Sequence, residues 1–75
     1  MVARLKAETK VNFREYGELT LPAGLLCSKI TEGGTAGCYF LRSLPKEIFP
    51  PDSLIWFDAY HYGVVIPPEF IEDSP

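Results

Sequence analysis

The sequence predicts a small all-β barrel. Three observations carry the expectation. Residues near the N-terminus alternate with period two, turn signals recur at short intervals along the chain, and no stretch of about 10–12 residues shows an amphipathic helical period.

Over residues 3–13, Leu5, Ala7, Thr9, Val11 and Phe13 share one face, and Arg4, Lys6, Glu8, Lys10 and Asn12 share the other. That pattern predicts one half-buried strand with a solvated, charged back. Residues 14–17 break the alternation and read as a polar loop. Residues 18–21 (ELTL) read as a short extended piece, and Pro22-Ala23-Gly24 as a turn, because proline fixes φ and glycine accepts a positive one. Residues 25–31 form the next strand. Glu32-Gly33-Gly34 signals a tight hairpin, with residues 35–43 returning. A turn centred on Glu32-Gly33 would set Cys27 directly opposite Cys38, and one centred on Gly33-Gly34 would offset them. Two cysteines are too few for a disulfide scaffold, so reduced, packed thiols are expected in a cytoplasmic protein.

Residues 44–53 (LPKEIFPPDS) hold three prolines, which forbid a central strand. They read as an irregular insertion, with one helical turn through residues 46–48 and with Ile48 and Phe49 laid on the barrel as a lid. Residues 54–62 return to strand composition. Pro67-Pro68-Glu69-Phe70 reads as a single 3₁₀ turn, residues 71–72 as a last short strand, and residues 73–75 as a frayed tail.

The chain has 75 residues, enough for one domain, and 47% of them are hydrophobic, which supplies a core and argues against disorder. A chain of this size buries only about 60% of its unfolded surface, so its stability is marginal without help. Seven basic against ten acidic residues give a net charge of −3. That balance disfavours a grip on nucleic-acid phosphates. The N-terminal MVARLKAETK carries no apolar leader, and no apolar run approaches the ~18–20 residues that cross a bilayer. A cytoplasmic protein without membrane contact is expected.

The order of pieces resembles a Src-homology-3 (SH3) barrel. ARLKAETKVNF stands where that family has its first strand. YGELTLPAGLLCSKI resembles its diverging turn and second strand, TEGGTAGCYFLRSL its n-Src hairpin, and GVVIPPEFIE its closing segment with a 3₁₀ turn. The likeness covers most of the chain outside residues 44–62. It implies a five-stranded SH3-like barrel with a 3₁₀ turn before the last strand and an irregular Pro-rich insertion. Where a proline-binding SH3 domain has its Tyr-rich motif, Trp and Tyr, this chain has Glu8-Thr9-Lys10, Cys38-Tyr39 and Phe70. Phe70 has no hydroxyl to orient a ligand carbonyl, which argues against proline-peptide recognition.

As a strand, residues 54–63 would carry two stripes. Ile55, Phe57, Ala59 and His61 would face the core, and Trp56, Asp58, Tyr60 and Tyr62 would face out. Exposed aromatic residues with polar tips are favoured interface anchors. The expected function is therefore a small non-enzymatic interaction module, which binds a protein or peptide through Trp56, Asp58, Tyr60 and Tyr62. Tyr16, Tyr39 and Phe70 would flank the row, and the partner includes the case of a second copy. The opposing reading covers the row with the 48–51 lid or reverses the faces. A polar loop at Arg14, Glu15, Tyr16 and Glu18 stands where SH3 domains select partners. The alternatives on the same barrel are a toxin-like ribonuclease, with His61 as acid or base and Arg14 or Arg42 on phosphate, and a single-strand nucleic-acid binder. No cofactor is expected. No ligand pair at a recognised short spacing joins Cys27, Cys38 and His61, so no metal is expected. Asp58 and His61 would lie on opposite faces of a strand and could not act as a pair.

Overall fold

The structure is a computed structural model that describes residues 2–74. It is mostly β with one short helix. The elements are β1 (Val2–Leu5), β2 (Thr9–Asn12), a 3₁₀ turn (Arg14–Tyr16), β3 (Glu18–Leu21), β4 (Leu26–Lys29) and β5 (Tyr39–Leu41). Then come α1 (Leu54–Tyr62), β6 (Val65–Ile66), a second 3₁₀ turn (Pro68–Phe70) and β7 (Ile71–Ser74). Five strands form an antiparallel sheet in the order β6-β5-β4-β1-β7, and β2 and β3 form a separate hairpin.

The sheet curls into a half-barrel, and Tyr39 shows why it must. Its hydroxyl donates to Asp73 Oδ2 at 3.1 Å. Tyr39 lies in β5 and Asp73 in β7, three strand spacings apart in the sheet order, or roughly 14 Å if the sheet were flat. Two side chains cannot span that gap without curvature. The same bond, added to burial of the ring, holds the Tyr39 phenol above its ordinary pKa, with burial the larger cause.

The long N-terminal strand expected over residues 3–13 is two strands. Lys6 and Ala7 bend, and the Thr9 hydroxyl donates to the Ala7 carbonyl at 2.8 Å, a local bond that competes with strand pairing. β1 joins the main sheet and β2 turns away to pair with β3, matching Thr9 with Leu21 and Asn12 with Glu18. The alternation survives the bend, so Leu5, Thr9 and Phe13 are all buried, while Ala7 at the bend itself is exposed.

The β4–β5 connection is longer than a tight hairpin. The register pairs Cys27 with Leu41 and Lys29 with Tyr39. Cys38 lies beyond the ladder, its carbonyl accepting from the Ile30 N–H at 2.8 Å. Neither expected turn forms, and the cysteines are not opposite each other. Both are free thiols, and burial pushes the Cys27 thiol up from its ordinary pKa.

In residues 44–53 the expected helical turn is present, with the Phe49 N–H donating to the Pro45 carbonyl at 2.8 Å. Phe49 is not a lid but a centre of the core. It is fully buried, edge-on to Phe13 at 6.3 Å between ring centroids. Leu5, Leu21, Val64 and Ile66 are the other large side chains buried completely. The C-terminal tail is not frayed through residues 73–74. Asp73 pairs with Ala3 in the β1–β7 ladder, and Pro75 lies outside the described residues.

The largest departure is residues 54–62, an α-helix where a strand was expected. Pro50 and Pro51 stop strand pairing, and Asp52 takes a left-handed backbone (φ 66°), which a short polar side chain tolerates. Ser53 then caps the helix: its Oγ accepts from the Trp56 N–H at 3.2 Å. Gly63 ends it at φ 78°, ψ 155°, a backbone region essentially reserved for glycine, and its N–H donates to the Ala59 carbonyl at 3.0 Å. No helix among the described residues is long and apolar enough to cross a membrane.

Candidate interaction surface

A helix steps about 100° per residue, so α1 sorts its side chains differently from a strand. Ala59 is buried, and Ile55 and Trp56 pack partly against the core. A small residue at the point of contact lets the helix sit close to the sheet. Asp58 and Tyr62, four residues apart, face the Arg14–Tyr16 turn. Tyr60, Phe57, His61 and Leu54 occupy the remaining arc and face outward. Leu54 is 72% exposed, Phe57 52% and Tyr60 76%. This arc carries no carboxylate, ammonium or guanidinium group. A helix that is apolar on its inner and outer faces alike is normally covered on both.

The side facing the β2–β3 hairpin is tied down. The Tyr16 hydroxyl donates to Asp58 Oδ2 at 2.5 Å. That bond, with burial and the charge of Asp58 adding to it, pushes the Tyr16 phenol up to about 12. One residue pair further along, the Arg14 guanidinium lies 3.9 Å from the centre of the Tyr62 ring, a cation–π contact. Arg14 takes a left-handed backbone (φ 49°) to place it. Tyr16 therefore spends its hydroxyl on the chain's own helix, and Arg14 divides its guanidinium between the Tyr62 ring and Glu15, 3.7 Å away.

The rings of α1 form two groups in contact, Phe57–Trp56–Tyr60 and His61–Tyr62. Trp56 and Tyr60, four residues apart, stack at 5.4 Å with planes 11° apart. Phe57 meets Trp56 edge-on at 5.2 Å, and His61 meets Tyr62 edge-on at 4.7 Å. Trp56, Phe57, Tyr60, His61 and Tyr62, with Asp58, line an open depression of about 570 Å³.

The helix thus redistributes the residues expected to form one outward row. Trp56 and Tyr60 remain together, while Asp58 and Tyr62 turn toward the hairpin. Tyr16 joins them as the partner of Asp58. Tyr39 is 6% exposed, its ring in the core. Phe70 is 37% exposed at the end of the second 3₁₀ turn, next to β7 and at the opposite end of the strand order from β6. Asp58 and His61, three apart on a helix, are near neighbours and not on opposite faces, which corrects the geometry a strand would impose. Leu54, Phe57 and His61 complete the outward arc, and strand alternation hid the last two by placing them on the core face. The signal that finds them is Ser53 and Gly63 bracketing nine residues as N-cap and C-cap. No group of three or more His, Cys, Asp or Glu side chains is placed to hold a metal among the described residues.

No protein-family model matches the chain, and neither the curated proteins nor the solved structures searched contain a match.

Proposed function

We propose that this chain is a non-enzymatic protein-interaction module with an SH3-like architecture, which docks a protein partner on the outward arc of α1. The β6-β5-β4-β1-β7 order, with a hairpin between the first two sheet strands and a 3₁₀ turn before the last, supports the architecture. The binding reading rests on one observation: the exposed arc of α1, made of Leu54, Phe57, Tyr60 and His61, presents aliphatic and aromatic side chains and no carboxylate, ammonium or guanidinium group. Leaving such a surface to water is unfavourable, and large contiguous apolar patches on small soluble domains mark contact sites.

Tyr60 and Phe57 are the preferred probes, because Trp56 also packs against the core. Tyr60→Ala and Phe57→Ala retain the fold, as judged by circular dichroism, and weaken partner capture by the ~2 kcal/mol or more of an interface hot spot, about 30-fold. Folded variants that capture the same proteins as the wild type at full strength overturn the proposal.

A ribonuclease reading draws on Tyr62, which has Arg14 over its ring and His61 against its edge, so that a cation and an imidazole share one neighbour. It requires RNA cleavage that His61→Ala abolishes. Equal activity, or none, in wild type and variant removes it.

A further inference from the structure

Resting on that reading of α1, we infer that the occupant of the outward arc is a second copy of this chain, docked about a two-fold axis with the two helices antiparallel. Leu54, Phe57 and His61 fall at i, i+3 and i+7, the spacing of a helix–helix seam. A two-fold axis makes each copy read the same stripe in reverse. Phe57, near the middle, then meets Phe57 of the second copy, and Leu54 lies against Tyr60 and His61.

Charge permits this partner here and disfavours it over the rest of the surface. With a net charge of −3, two copies repel each other wherever carboxylates approach. The arc has no carboxylate, and Asp58 on the neighbouring face is already bonded to Tyr16. Self-pairing there brings no like charges together. Antiparallel helices also set each helix's N-terminal end beside the other's C-terminal end, the favourable pairing of their dipoles.

Area is consistent with this occupant. Leu54, Phe57 and Tyr60 together leave roughly 450 Å² open, and the exposed parts of Phe40 and Val65 raise this to about 600 Å², against ~800 Å² per partner in a standard interface. The apolar surface continues past the helix. Phe40 and Val65, paired across β5 and β6, are 38% and 41% exposed, and Phe40 lines a cavity of about 190 Å³ together with Tyr60, with Arg42 as its one charged side chain.

Light scattering of the full chain after size exclusion, over a concentration series, is expected to show twice the 8.4 kDa chain mass. Phe57→Asp and Phe57→Lys, each alone, place two like charges at the axis and yield monomers. An equimolar mixture of the two variants restores the dimer, because opposite charges now meet there. Leu54→Glu, at a more exposed site, serves as a second disrupting change should Phe57→Asp fail to fold. A wild type that stays monomeric, a dimer that survives both disrupting changes, or a mixture that does not reassociate overturns the inference. The broader reading of α1 fails separately: a monomeric wild type whose partner capture is lost in Tyr60→Ala leaves it standing, and unchanged capture sinks both.

Discussion

The Tyr16 hydroxyl and the Asp58 carboxylate meet at 2.5 Å across 42 positions of sequence, joining the tip of the β2–β3 hairpin to the middle of α1. Without this bond the helix would be held to the hairpin only by apolar contact and by Arg14 on Tyr62. A double-mutant cycle tests the link. Tyr16→Phe and Asp58→Ala each lower stability in denaturant titration, and the double variant costs less than their sum, because either change alone breaks the same bond. Additive losses would mean that the two groups act independently.

Stability is expected to fall between about pH 10 and 12. The folded Tyr16 phenol is pushed up to about 12, whereas in the unfolded chain it returns to its ordinary value of 10.0. In that window the unfolded state binds fewer protons than the folded state, so unfolding gains with rising pH. The stabilisation is fully present below the unfolded value and is lost as pH passes the folded one. Tyr16→Phe flattens this part of the pH–stability curve, and a phenolate absorbance titration of the folded variant lacks one late-titrating phenol. A variant whose alkaline curve overlays the wild type contradicts the assignment.

Phe49→Ala should cost about 3–5 kcal/mol, the loss for a large aromatic side chain taken from a fully buried site. That is comparable to the entire stability of a small domain, so the variant is expected to be largely unfolded at ordinary temperature. Lys46→Ala, three residues earlier and exposed, should be within ~0.5 kcal/mol of wild type. Calorimetry or urea titration of the pair decides whether this Pro-rich segment is core or cover.

The two ends of α1 should respond in different ways. Ser53→Ala removes the acceptor for the Trp56 N–H and should cost ~0.5–2 kcal/mol. Gly63→Ala should cost ~1–3 kcal/mol through its backbone alone. The added methyl would meet only the Phe40 Cβ, at an ordinary 3.9 Å, so crowding contributes little. Losses confined to helical circular dichroism would show that α1 unfolds apart from the sheet.

Local chemistry was legible in the sequence where it was decided locally. ELTL is β3 and Pro68–Phe70 is the 3₁₀ turn, because short alternation and paired prolines constrain their own residues. The buried face of residues 5–13 was legible too, although Thr9 breaks the strand by bonding to Ala7. Helix α1 was not legible. Its residues are apolar on both faces, so the 3.6-residue period leaves no contrast, and Ile55, Trp56, Phe57 and Tyr60 favour strands by type. Of the site, Trp56 and Tyr60 share a face in either conformation, but only the helix brings their rings into a stack. The Tyr16–Asp58 and Arg14–Tyr62 contacts depend on how the hairpin docks on the helix, which no local pattern encodes. Tyr39, expected to flank the row from a groove position of the SH3 resemblance, instead puts its ring in the core, and the curl of the sheet supplies Asp73 for its hydroxyl.

The β1–β7 ladder matches Ala3 with Asp73, while β2 and β3 pair across a turn of a few residues. Closing a loop costs entropy that grows with its length, so the hairpin can organise early and the first and last strands must find each other late. The order of events predicts a kinetic asymmetry. Val11→Ala in β2 should chiefly slow folding, and Ile71→Ala in β7 should chiefly hasten unfolding. Stopped-flow chevrons for the two variants would show whether the half-barrel is assembled from its hairpin outward.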